Sequence, residues 1–187
     1  MSYSVGILIY EGVDLLQIAA PFHVLAHASA PGRSDSRLFN IFTVARTKEL
    51  VTCYGGVNIL PDHIYPDAKI YDVILIPGGP GYEKALKILR LMDWINKAAK
   101  LAEVVAAVDT GIYLLAASRL LSGRRVAAVA GLSDLYPEVQ PVDSEKVVES
   151  GEIITVSTHH KGLDLALAII STVEGEEAAE FNRKQFT

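Results

Sequence analysis

The chain has 187 residues, half of them apolar and 21% charged, with a formal net charge of -5. That is the composition of one soluble globular domain over 1–187 with a full core. No stripe of Lys or Arg is present to favour nucleic acid or an anionic membrane, and the apolar runs stop short of a membrane span, so the expected partners are small molecules or other proteins. The start, MSYSVGILIYEGVD, lacks a basic leader and places Glu11 and Asp14 where an export signal needs apolar residues, which predicts a cytoplasmic protein. One cysteine, Cys53, excludes an internal disulfide and a multi-thiolate metal centre, and no motif calls for a cofactor.

In chain order, Ser4 to Tyr10, Leu38 to Ala45, Tyr71 to Ile76, Val104 to Val108 and Ile153 to Val156 read as buried strands rich in Val, Ile and Phe. Leu15 to Ala28, Tyr82 to Lys100, Ile112 to Leu121 and Gly162 to Val173 repeat apolar residues at helical spacing, and Glu174 to Phe186 reads as a terminal amphipathic helix. Alternation of the two kinds predicts an α/β three-layer sandwich: a mainly parallel sheet with helices on both faces. LVTCYGGVNILP predicts an accessory hairpin turning at Gly55-Gly56 and standing apart from the sheet; a second hairpin is predicted at Lys146 to Thr155. Ligands of open parallel sheets bind beyond the carboxyl ends of the strands, and two such ends are marked here, by Pro77-Gly78-Gly79-Pro80-Gly81 and by Asp109-Thr110-Gly111.

The segment VVAAVDTGIYLL reads as a strand that breaks sharply into a helix with Asp109 at the break, the form of a nucleophile elbow. Two readings of Asp109 stand side by side. It is the N-cap of the following helix, or it projects an anion into a cleft, where a general base acting on water fits better than a nucleophile. The backbone N–H groups of Gly78, Gly79 and Thr110 are the expected donors of an oxyanion-holding nest, with Gly111 opening the helix. A Walker-type phosphate loop is excluded, since no Gly-Lys-Ser/Thr follows the glycines. Tyr10, Tyr82 and Tyr113 are candidate pocket walls, whereas His27 and His63 read as surface or turn residues.

With these turns placed, the chain resembles the ThiJ/PfpI family of the class I glutamine amidotransferase-like superfamily, and looks nearest to its isonitrile hydratase-like branch. The resemblance is carried by EGVDLLQIAAPFHVL, PDHIYPDA, DVILIPGGPG, VDTGIYLLAASRLLSGRRV and GEIITVSTHHKGLDLALAII, and runs nearly end to end. It implies a flavodoxin-like fold, a homodimer, and a pocket at the elbow. The family's elbow cysteine is replaced by Asp109, and the acidic residue that faces it, four positions before Pro21, is replaced by Gln17. His23, two positions after that proline, and His159, before the last long helix, are implied to lie near the same pocket. Asp109, Gln17 and His23 are thus the candidate catalytic residues, and Gly78, Gly79, Thr110, Gly111 and His159 the candidate binding residues. A neutral amide opposite a carboxylate is self-consistent, because the amide donates to the anion where a second carboxylate would repel it. The resemblance implies hydration of an isonitrile or hydrolysis of an amide-like substrate; the alternative is a binding or regulatory module without chemistry.

Overall fold

The computed structural model describes residues 2–32, 37–65, 69–144 and 146–186, and of His159 the backbone alone. The last three residues of PDHIYPDA therefore lie outside the described residues. Eleven strands and seven α-helices alternate among the described residues. Seven strands form one sheet in the order β10-β11-β7-β6-β1-β2-β5, comprising β1 (Tyr3–Leu8), β2 (Phe39–Ala45), β5 (His63–Ile64), β6 (Val73–Ile76), β7 (Val104–Val108), β10 (Val148–Ser150) and β11 (Ile153–Val156). All neighbours are parallel except β10 and β11, the predicted second hairpin, which joins the sheet at its edge. The central strands β6 and β7 are buried from end to end, so they are continuous Val, Ile, Leu and Ala runs without alternation.

Helices cover both faces, as the alternation predicts. α1 (Leu15–His27), α6 (Gly162–Glu174) and α7 (Glu176–Phe186) pack together on one side, and α3 (Leu89–Ala99) and α4 (Gly111–Ala117) on the other. Buried Asn182 fastens α7 to the loop after α1: its Oδ1 accepts the Ser29 N–H at 3.0 Å and its Nδ2 donates to the Ser29 carbonyl at 2.8 Å. The hairpin of β3 (Val51–Thr52) and β4 (Asn58–Ile59) stands apart as expected. A third sheet pairs β8 (Arg125–Ala127), where the family resemblance implies a strand after the GRR turn, with β9 (Gln140–Val142), which no pattern marks; it is tied to β11 by the Ala127 N–H donating to Thr155 Oγ1 at 2.9 Å.

The single helix expected over Tyr82 to Lys100 is two. α2 (Tyr82–Ala85) stops, Ile88 takes an extended conformation (ψ 91°), and α3 begins at Leu89. Neither Gly nor Pro marks this break. Its effect is to aim Ala85, Ile88 and Leu91 at one cavity beside the ends of β1 and β2. A short α5 (Leu132–Leu135) and a 3-10 turn at His159–Lys161 complete the fold. Among the described residues no helix is long and apolar enough to cross a membrane.

The chain runs from β1 to β2 on one side and then returns to β6 on the other side of β1. That reversal opens a crevice at the carboxyl ends of β1 and β6, the place where open α/β sheets bind ligands. Into it project the start of α1, the glycine turn after β6 and the elbow after β7.

Candidate active site at the elbow

β7 ends at Val108, and Asp109 turns the chain with φ at +50°. Left-handed backbone is strained for most side chains but tolerated by aspartate. The turn is pinned on both sides: the Asp109 N–H donates to the Val156 carbonyl at 2.9 Å, and its carbonyl accepts the Ile112 N–H at 3.0 Å. Glycine is required next to it, since a Cβ on Gly111 would stand 2.2 Å from the Ile76 carbonyl oxygen. The glycine turn is equally tight: Gly79 has φ +135°, and a Cβ there would stand 2.4 Å from the Asp14 nitrogen.

Asp109 does not cap its helix. Thr110 occupies the cap position without a side-chain capping bond, and the Asp109 carboxylate, half-buried, takes its hydrogen bond from Gln17 Nε2 at 3.3 Å. Gln17 is 1% exposed and both ends of its amide are engaged. Its Oε1 accepts the Gly78 N–H at 2.6 Å, while Nε2 also reaches Asp14 Oδ2 at 3.5 Å. Asp14 in turn caps α1, accepting the Leu16 N–H at 2.9 Å. One neutral amide thus stands between two carboxylates, and among the described residues neither carboxylate has a cationic partner. Asp14 was missed as part of the site, although an acid directly before a helical run, three residues ahead of Gln17, is a readable signal for a cap on the same helical face.

The expected nest of glycine donors does not form. The Gly78 N–H is taken by Gln17 and the Gly79 N–H donates to Thr110 Oγ1 at 2.9 Å. These bonds lock the glycine turn to α1 and to the elbow, and they leave the Thr110 N–H, at the start of the helix, as the donor without an acceptor among the described residues. His23 is a second correction. It is exposed, and its ring lies against His27 (centroids 4.5 Å) and Phe186 of α7 (5.5 Å). Six residues past Gln17 on a helix is about 240° further round, so the two side chains leave on different faces. The His159 side chain lies outside the described residues. His63, expected at the surface or in a turn, is a half-buried strand residue, with Nδ1 2.6 Å from the Tyr71 hydroxyl and its ring stacked on Phe42.

Two tyrosines report the charge of the site. The Tyr10 hydroxyl donates to the Pro77 carbonyl at 3.0 Å; burial, then the negative fields of Asp109 and Asp14, push its pKa far above the usual phenol value. Tyr113 donates to the Ala130 carbonyl and packs between Tyr82 (centroids 5.2 Å) and Tyr136 (6.4 Å). Its pKa is raised too, first by burial and then by Tyr82, Asp134, Tyr136 and Asp109. Both hydroxyls stay protonated donors at neutral pH. A cavity of about 440 Å³ opens beside the ends of β1 and β2; Tyr10 and Gly81 line it, and none of Gln17, Asp109, Thr110 and Gly111 does.

Comparison with known proteins places the chain in a family. Residues 3–172 match the DJ-1/PfpI family. The chain is 28% identical over 186 residues to isonitrile hydratase of Pseudomonas putida, covering 99% of this chain and 78% of that protein. It is 28% identical over 131 residues to the glutathione-independent glyoxalase DJR-1.2 of Caenorhabditis elegans, covering 69% of this chain and 70% of that protein. In three dimensions it superposes on a ThiJ/PfpI family protein from Pseudomonas syringae with a TM-score of 0.85 at 20% identity, over 100% of this chain and 75% of the other, a likeness of fold.

Proposed function

This chain belongs to the DJ-1/PfpI family, and from that premise we propose that it hydrates a small polar electrophile of the isonitrile type at the elbow, with Asp109 moving the protons. The observation that supports this reading is the carboxylate at the strained turn, held through Gln17 and not spent on capping its own helix. The proposed step is balanced as R–N≡C plus water giving R–NH–CHO. Asp109 takes a proton from water as the water oxygen bonds to the isonitrile carbon; the carbon lone pair then takes that proton back from Asp109, and the hydroxyl-imine product tautomerises to the formamide. No oxyanion builds up at the glycine turn in this sequence, which suits a site whose Gly78 and Gly79 N–H groups are already committed. The Thr110 N–H is left to orient water or substrate. Gln17 is a positioning residue, and Gly111 admits the helix start.

The test is cyclohexyl isonitrile with the full chain, following N-cyclohexylformamide by NMR. Turnover is expected, and Asp109→Asn is expected to lower it by at least about 100-fold with the circular dichroism spectrum unchanged. Activity that persists in Asp109→Asn removes Asp109 from the chemistry. Saturable binding without product favours the alternative, a small-molecule-binding or regulatory module.

The reading includes a homodimer. Leu50, Tyr54, Val57 and Leu60, around the β3–β4 hairpin, and Leu16 in the first turn of α1 are exposed large apolar side chains, between 47% and 66% accessible. A second copy covering them would close over the mouth of the elbow. Sedimentation should give a dimer that Tyr54→Asp with Val57→Asp converts to monomer; a wild-type monomer at micromolar concentration refutes this part.

A further inference from the structure

The 440 Å³ cavity beside the ends of β1 and β2 is in the size range of small-molecule sites and is a different place from the one above. Leu8, Ile9, Ile88 and Leu91 give it an apolar floor, and Arg46 and Lys84 stand at its rim. Among the described residues neither cation has an ion-pair partner. The two acids that share the rim are turned to local partners: Glu11 Oε1 accepts the Thr52 N–H at 3.2 Å, and Glu49 Oε2 accepts from the Thr47 hydroxyl at 3.3 Å.

Tyr65 forms part of the wall, its ring 5.6 Å from Trp94. The residue is 4% exposed, and its hydroxyl is, among the described residues, the one buried side-chain oxygen or nitrogen without a hydrogen-bond partner. A phenylalanine would fill the same space without that cost, so the unpaired hydroxyl is a standing request for a partner. Burial raises its pKa, while Arg46 and then Arg90 act in the opposite sense, which places the hydroxyl in a positive field. A donor in a positive field beside an apolar floor is complementary to an anion carrying an apolar body.

We propose that this cavity is a second ligand site, for a small amphipathic monocarboxylate whose carboxylate accepts from the Tyr65 hydroxyl and pairs with Arg46 while its apolar body lies on Leu8, Ile9, Ile88 and Leu91. Lys84 adds a second cation at the rim. Glu11 and Glu49 hold the net charge of the rim near neutral, which disfavours a dianion such as a phosphate. The hydroxyl is shut off from water, so binding requires a side chain of the wall to move aside. Tyr10 lies in both this wall and the elbow's surroundings, so the test has to separate the two places.

The full chain is titrated by calorimetry with 3-phenylpropanoate, 3-phenylpropan-1-ol and phenyl phosphate. The carboxylate is expected to bind, the alcohol and the phosphate at least about tenfold more weakly. Tyr65→Phe and Arg46→Gln should each weaken the carboxylate by about tenfold, while Asp109→Asn leaves it unchanged. Tyr65→Phe should also raise the melting temperature of the unliganded protein, because it removes an unpaired buried donor; a merely structural tyrosine would lower it. The proposal is overturned by equal binding of acid and alcohol, by binding that depends on Asp109 and not on Tyr65, by a lowered melting temperature in unliganded Tyr65→Phe, or by no binding of the carboxylate at millimolar concentration. None of these outcomes touches isonitrile turnover, so the two readings fail separately.

Discussion

The carboxyl ends of β6 and β7 and the carboxyl ends of β1 and β2 are neighbours in one sheet, yet they are built in opposite ways. At the first, the backbone is strained, three chain segments meet at distances only glycine permits, and nearly every donor has an acceptor: Gly78 on Gln17, Gly79 on Thr110, Gln17 on Asp109 and Asp14. At the second, the walls are ordinary side chains, the space is about 440 Å³, and a buried hydroxyl has no partner. Rigidity that fixes a reacting group to a fraction of an ångström comes from crowding the backbone, while room for a ligand body comes from side chains that stop short. The elbow carries the first kind of precision and the cavity the second.

Substitutions test this contrast, beginning with the most damaging. Gly111→Ala at the elbow drives a methyl into the Ile76 carbonyl and should cost about 3 kcal/mol in urea denaturation. Ala85→Val, which grows into the cavity, should cost less than about 1 kcal/mol; equal losses at both sites would erase the contrast. Gln17→Leu strands the Gly78 N–H and removes the amide between Asp14 and Asp109, with an expected loss of about 2 kcal/mol by the same measurement. Alkaline titration comes next in size. Tyr71, 2% exposed, has its pKa pushed up to about 12 by burial and then by Asp62, so above pH 10 the unfolded chain releases a proton that the folded chain retains. Stability should therefore fall as pH rises from 10 to 12, and Tyr71→Phe should make that fall shallower, the other buried phenols supplying the rest; a flat wild-type profile would contradict the burial of this phenol. Smallest is Asp109→Asn, expected within about 0.5 kcal/mol of wild type, because asparagine accepts left-handed backbone at least as well.

Much of this arrangement is readable in the chain. The Val, Ile and Ala runs give the parallel strands because burial on both faces leaves no polar position, and Asp109 between a strand and a helix pattern marks the elbow. The Gln17 contact was legible through the family resemblance alone. Other features depend on distances that no local pattern encodes. Whether the Gly78 and Gly79 N–H groups face a ligand or an internal acceptor is decided by where Gln17 and Thr110 reach across from other elements. The break at Ile88 has no Gly or Pro to announce it, and residues 82–100 are helix-forming on either side of it. β8 and β9 are three residues each, too short for a period to register. His23 is placed at the site by the family resemblance, although helical spacing from Gln17 already sends its side chain to a different face, where the ring of Phe186 lies.

The amide at position 17 also constrains the order in which this site could be rebuilt. Between a thiol facing an acid and the present acid facing an amide lie two single-step intermediates. Introducing the aspartate at 109 while 17 is still acidic would crowd three carboxylates, at 14, 17 and 109, around one point; neutralising 17 first leaves a thiol beside an amide and a single nearby acid. The second route avoids the repulsion, so a laboratory conversion in either direction should pass through glutamine with cysteine and avoid glutamate with aspartate.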